Sequence, residues 1–153
     1  MHSPLLRPIT RELELLQWCG QLRKIHFNEY AALRFATNAV QTLRNARQTD
    51  GNPLVQYTRA YEGVYALCLG SIYLHGLLPT GQARQRPLVI QLACDMLQLP
   101  IRDRDKILNA SKYRELITCD APEPVEDVVA QDMLALGSRA LAQARRAYPD
   151  WFL

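Results

Sequence analysis

Between Leu54 and Arg86 the sequence carries a long helix pattern that charge barely interrupts, closed by Gly76 and followed by a loop that turns basic. Tyr57, Tyr61 and Tyr65 recur every four residues, and Val64, Cys68, Ile72 and His75 carry the same surface onward. Ala60, Gly63, Leu67 and Gly70 make a second, narrower stripe. A helix that is apolar around most of its circumference must be covered on several sides. The expected fold is therefore all-α, an up-and-down helical bundle of four to five main helices with this one at the centre. Gly63 and Gly70 each weaken a helix by ~1 kcal/mol relative to Ala. Their seven-residue spacing on one face predicts close backbone approach by a neighbouring helix.

Upstream, Thr10 reads as an N-cap with Glu12 and Glu14 in the first turns, where the helix dipole favours acids. It opens an extra N-terminal helix over residues 10–24, with Leu13, Leu16, Cys19 or Gly20, and Leu22 as its apolar stripe. That helix either packs on the bundle or exchanges with a second subunit. Asn28 caps the next helix, which runs to about Thr49 with Leu33, Ala36, Val40 and Leu43 inward and Arg34, Arg44 and Arg47 outward. Asp50-Gly51-Asn52-Pro53 stops it, Gly51 by a left-handed cap and Pro53 by suiting the next helix start. The two helices should be antiparallel neighbours.

Downstream, LLPTGQARQR reads as a loop broken by Pro79 and Gly81, and Pro87 opens a shorter helix ending before Pro100. Its inward positions are Leu88, Ile90 or Gln91, Leu92 and Met96. A further short helix from Ile101 turns Ile107, Leu108 and Leu116 inward with Ile101 itself, and CDAPEP forms a loop. The last helix, Val125 to Arg146, places Val125, Val129, Met133, Leu136, Ala140 and Ala144 at helical spacing. Acids at its start and Arg145 and Arg146 at its end suit its dipole. The tail 148–153, with Tyr148, Trp151 and Phe152, either folds back or meets a partner. No β-branched alternation competes with these helices.

The 153 residues read as one domain, 1–153, able to bury its core without metals or disulfides. No apolar run approaches the ~20 residues of a membrane span, and MHSPLLRPITRELELL lacks a signal-peptide plan. A cytoplasmic protein is expected. Cys19, Cys68, Cys94 and Cys119 are far apart, with no CxxC pair and no Cys/His cluster of metal-ligand spacing, which predicts reduced structural thiols and no metal. Net charge is +3, but residues 84–114 hold seven basic side chains against three acidic ones. Such a surface is either a solvated face or one that meets phosphate or an acidic partner.

The long helix ending YLHGLLPTGQAR, the short helix after it, a polar segment and an Ala- and Leu-rich final helix together resemble a HEPN domain. The likeness covers residues 29–147 and leaves the first helix outside. It implies a helical bundle, often dimeric, tied to nucleotide or RNA chemistry. Catalytic members of that family carry Arg, a polar residue and, a few residues on, His, in a composite site at the dimer interface. Here the corresponding segment is Leu108-Asn109-Ala110-Ser111-Lys112-Tyr113. Leu108 stands where the Arg would be and Tyr113 where the His would be, while Asn109 matches. RNA cleavage without a metal needs a cation on the phosphate and a proton carrier near neutral pH, and an ordinary Tyr titrates near ~10.

The resemblance thus implies a non-catalytic module, with no catalytic residue, cofactor or metal assigned. Its ligand would be a nucleotide, RNA, or a companion protein such as a nucleotidyltransferase in a toxin–antitoxin-like pair. The candidate binding residues are His75, Arg84, Arg86, Asn109, Lys112 and Tyr113. His75 also suits a structural role, bonding a free carbonyl at the helix end. Tyr57, Tyr61 and Tyr65 are candidates for core or dimer-interface packing, or for stacking bases. The rivals are a degenerate ribonuclease using Tyr113 and a helical regulatory protein that takes a small apolar ligand between its helices.

Overall fold

Asn28 and Asn52 each start a long helix by accepting the free amides of its first turn. Asn28 Oδ1 receives the N–H groups of Tyr30 and Ala31 at 2.9 and 3.2 Å, and Asn52 Oδ1 those of Leu54 and Val55 at 3.1 and 3.3 Å. The computed structural model describes residues 7–48, 51–81, 83–119 and 124–153. Among these, six helices follow one another: α1 (Arg11–Trp18), α2 (Glu29–Gln48), α3 (Pro53–Tyr73), α4 (Arg86–Met96), α5 (Ile101–Cys119) and α6 (Asp127–Ala147). The chain is an all-α bundle, with one small addition.

That addition corrects the expectation at two places. The first helix stops at Trp18, not near Lys24, because Gly20 takes the left-handed conformation (φ +79°) and Gln21 N–H bonds back to Leu16 O at 2.9 Å. The chain then runs extended as β1 (Leu22–Lys24), paired antiparallel with β2 (Leu77–Pro79) in the segment read as loop. The register sets Leu22 opposite Pro79 and Lys24 opposite Leu77. Three residues are too few to show an alternation, so only the pairing reveals these strands. Leu13, Leu22 and Leu77 are buried at this end, so the N-terminal segment packs on its own chain.

Contacts along α3 fix the directions of the other helices. Gly63 meets Leu43, Gly70 meets Phe35, and the Tyr73 hydroxyl reaches Asn28, so α2 runs antiparallel to α3 as expected. Gln131 bonds Gln56, Gly137 faces Val64, and Tyr148 bonds His75, so α6 lies parallel to α3 in steady register. Asp103 holds Arg139 and Lys106 holds Asp132, which makes α5 antiparallel to α6. Successive long helices therefore alternate around α3.

The inward faces use smaller residues than expected. Leu33 and Val129, placed inside by spacing, are 40% and 42% exposed, while Ala32, Ala36, Ala39 and Ala46 of α2 and Ala130 of α6 are buried. Alanine lets helices approach closely, so the neighbouring leucine or valine is rotated outward. Ile101 is likewise exposed, while Ile107 is buried as expected, together with Asp103, Ala110 and Ser111, on a helix that runs on to Cys119. In α4 the buried set is Val89, Ile90, Leu92, Ala93 and Cys94; Gln91 is exposed, and Leu88 and Met96 are half-buried. Val125 precedes α6, which starts at Asp127. The inward placement of Leu116 and most of the CDAPEP loop lie outside the described residues. The tail folds back, with Tyr148, Trp151 and Phe152 buried and the Phe152 carbonyl held by Arg145 Nε at 2.8 Å.

Gly63 does permit the close approach expected of it. A Cβ there would come within 2.7 Å of the Leu43 side chain and 3.2 Å of its backbone N, and one on Gly137 within 2.8 Å of Leu43 Cδ2. Gly70 leaves ordinary space, with Phe35 Cβ 3.5 Å away. Leu43 is thus a knob seated between two glycines. Gly63→Ala should cost about 1 kcal/mol net, crowding outweighing helix propensity, and Leu43→Ala about 2–5 kcal/mol. Urea unfolding of both and of the double variant checks this. The double should lose less than the sum, because the new methyl occupies the vacated space.

Candidate functional site

The turn into α4 is pinned before Arg86 is placed. Gln85 donates to Gln21 O at 2.8 Å and to Gln21 Oε1 at 2.9 Å, and its own Oε1 accepts the Gly81 N–H. Pro87 then starts the helix, as its sequence position predicts. Arg86 emerges over the tyrosine stripe of α3. Its Nη1 donates to the Tyr61 hydroxyl at 3.2 Å, and its guanidinium carbon lies 4.7 Å from the centre of the Tyr65 ring. The Tyr61 and Tyr65 rings are 6.3 Å apart, and one turn earlier Tyr57 receives Tyr113 edge-on at 5.5 Å. Arg114 Nε bonds Glu62 Oε1 at 2.8 Å beside them. Arg86, Tyr65, Tyr113, Glu62 and Arg114 are all half-buried, forming one aromatic and cationic strip.

The electrostatics of the strip favour holding charge over moving protons. Burial opposes the charge on Arg86, but the Tyr61 hydroxyl, Glu62 and Tyr65 outweigh it and raise its pKa. Burial raises Tyr57, with Tyr113 adding to it, and raises Tyr65 against the opposing pull of Arg86. Near neutral pH the strip therefore offers a permanent cation over the protonated Tyr65 phenol. The guanidinium N–H groups not spent on Tyr61 have no partner among the described residues. Such a group can bond phosphate oxygens, and its plane can stack on a base.

His75 belongs elsewhere. It lies 18 residues beyond Tyr57, roughly 27 Å along the helix direction at ~1.5 Å per residue. Its Nδ1 is 2.7 Å from the Pro8 carbonyl, which can only accept, so that nitrogen carries the proton and Nε2 accepts from the Tyr148 hydroxyl at 2.9 Å. Burial lowers its pKa; the Pro8 bond opposes this, and Arg7 adds to the lowering. Burial also pushes Tyr148 up to about 12. With both ring nitrogens engaged, the histidine bolts the N-terminal segment and the tail to the end of α3. The structural role expected of it therefore holds in kind but not in detail: the carbonyl is that of Pro8, not one freed at the end of α3, and the ring bonds it while neutral.

Of the expected binding residues, the structure thus gathers Arg86 and Tyr113 on the stripe and leaves His75 apart. Arg84, Asn109 and Lys112 are exposed on the surface around the turn and α5. Tyr61 is 1% exposed inside the monomer core, so it cannot form an interface with another chain; its ring is already covered. Tyr57 is also buried, while Tyr65 still reaches the surface. Sequence reasoning missed the pairing of Glu62 with Arg114 and that of Tyr148 with His75. The first two carry opposite charges on different helices, and only the packing of α5 against α3 pairs them.

Cys68 and Cys94 are buried thiols, the first raised well above its ordinary pKa by burial and the second raised by burial to about 12. Cys19 is exposed. Among the described residues there is no group of three or more His, Cys, Asp or Glu side chains that could hold a metal ion, and no helix is long and apolar enough to cross a membrane.

The His75 bolt carries a pH signature. Folded His75 binds a proton less readily than the unfolded chain, so the unfolded state gains protons first as pH falls. Its contribution is fully present above the unfolded value of ~6.5 and declines as pH drops toward the lower folded value. Measured by chemical denaturation between about pH 5 and pH 8, the stability gap between wild type and His75→Gln should stay constant above ~6.5 and narrow below it. Compared with family models, with curated proteins and with solved structures, the chain has no match.

Proposed function

We propose that this chain is a non-catalytic, HEPN-like helical module that binds nucleotide or RNA along the strip formed by Tyr65, Arg86 and Tyr113. The observation that carries the reading is Arg86 itself, fixed over Tyr65 by Tyr61 while its remaining donors have no partner among the described residues. A pre-positioned guanidinium loses little freedom on meeting a phosphate. Its stack with Tyr65 offers a platform to which an unpaired base can add. Exposed Arg84 and Lys112 on the flanking turn and helix contribute long-range attraction.

The absence of catalysis rests on the chemistry of the groups in place. The Tyr57 and Tyr65 phenols are raised, the buried thiols are raised, and the buried histidine is committed at both nitrogens. Leu108 and Tyr113 occupy the places where the family's nucleases carry Arg and His. The resemblance supplies the assembly, a homodimer, which sedimentation at micromolar concentration tests. A monomer there would remove it.

Fluorescence anisotropy with a labelled single-stranded RNA and with free nucleotides tests the ligand. Binding should weaken steeply between about 50 and 200 mM salt, and Arg86→Ala should weaken it by roughly tenfold, the loss of one charge-assisted contact with its stack. Binding indifferent to salt and to Arg86→Ala overturns the reading. RNA cleavage abolished by Tyr113→Phe or Asn109→Ala would establish the ribonuclease instead.

A further inference from the structure

A second surface, on the opposite side of α3 from α4 and α5, has its own chemistry. α2 and α6 each pack against α3 and touch one another only lightly, leaving a trough between them. The Leu43 knob and Gly137 form its floor, and Leu134 and Leu141 extend it. Gly137 lets the Leu43 side chain lie flat against α6, so that the floor is closed by the two together. The hollow measures about 290 Å³ and continues, past the shared Arg47 and Leu134, into a second of about 390 Å³ bordered by Gln56 and Gln131.

Three arginines, Arg44, Arg47 and Arg145, line this trough, and among the described residues no acidic side chain does. Arg44 and Arg47 have no hydrogen-bond or ion partner among the described residues, while Arg145 spends only its Nε, on the Phe152 carbonyl. The positions follow helical spacing on both walls, so the trough runs along the helix axes. From Gln131 to Arg145 it extends about 21 Å along α6, at ~1.5 Å per residue.

We infer that this trough is a docking groove for an acidic amphipathic helix of a partner protein. Three features select that occupant. The floor is aliphatic and has no aromatic ring, so it suits leucine-like anchors and offers no platform for a base. The trough is straight and about as long as three to four helical turns, which fits anchors at i, i+3, i+4 and i+7. Its arginines, unpaired with any acid among the described residues, complement Asp or Glu flanking those anchors. The inference is separate from the RNA reading, which uses residues on α3, α4 and α5.

The test uses the full chain and a synthetic helical peptide of about 16 residues, a length matched to the trough, with Leu at the anchor positions and Glu beside them. Three control peptides accompany it: one with Pro at its centre, one with Lys for Glu, and one with Ser for Leu. The acidic helix should bind in anisotropy and shift backbone resonances of α2 and α6, and each control should bind at least roughly tenfold more weakly. Arg44→Glu with Arg47→Glu, at two exposed positions, should weaken the acidic helix by a similar factor without lowering the melting temperature. Arg86→Ala should leave it unchanged, which keeps this result independent of the RNA result. Undiminished binding of the Pro peptide, insensitivity to the double reversal, no binding up to about 1 mM, or displacement by a 12-nucleotide RNA overturns the proposal.

Discussion

Leu43 sets the spacing of the three longest helices. It enters from α2 between Gly63 on α3 and Gly137 on α6, two positions where any side chain would collide with it. Each glycine gives up helix propensity of ~1 kcal/mol, and the return is backbone approach closer than alanine would allow. Alanine stripes on α2 and α6 extend the same close packing along α3. With α2 and α6 drawn in this tightly on one side, the bulkier tyrosines of α3 are covered from the other side by α4 and α5. The division of α3 into a small-residue face and an aromatic face therefore decides where every other helix goes.

The two ends of α3 are closed by different means. At its start Asn52 caps the helix and Gln56 reaches across to Gln131. At its finish Gly76 turns the chain into β2, whose pairing with β1 carries the N-terminal segment over the helix end. His75 bonds that segment through Pro8 and the C-terminal tail through Tyr148, tying together parts separated by most of the sequence. A histidine serving two hydrogen bonds in its neutral form is a fastener, and burial keeps it neutral. The aromatic strip around Arg86 differs, because its cation keeps donors to spare.

Much of the architecture was legible in the residues because it is encoded locally. Asn28, Gly51, Gly76, Pro53 and Pro87 act through hydrogen bonds and backbone angles within a few residues, and each does in the structure what its position implies; the cap by Asn52 was legible by the same rule but not read. Gly63 also declared itself, since a glycine in a buried helix needs a reason. The misplacements of Leu33, Val129 and Ile101 share one cause. Spacing finds the apolar face only to within about one residue's rotation of ~100°, and the larger apolar side chain was taken for the inward one where a nearby alanine (Ala32, Ala130) or, beside Ile101, Asp103 was buried. The strands at 22–24 and 77–79 were illegible, because so short a strand exists only through its partner.

The sequence by itself determined that the chain is helical, which helix lies at the centre, how α2, α3 and α4 begin and end, and that a basic segment follows the central one. The tertiary structure decided which side chains meet. It separated His75 from Tyr113, seated Arg86 over Tyr65, buried Tyr61, and aligned arginines of α2 with one of α6 along a single trough. The physical reason is range. Caps and turns are settled by neighbours in the chain, whereas the meeting of two distant side chains depends on how far each helix is rotated and slid against α3. Small residues such as Gly63 and Gly137 control that rotation, and the sequence marks them without saying which knob they receive.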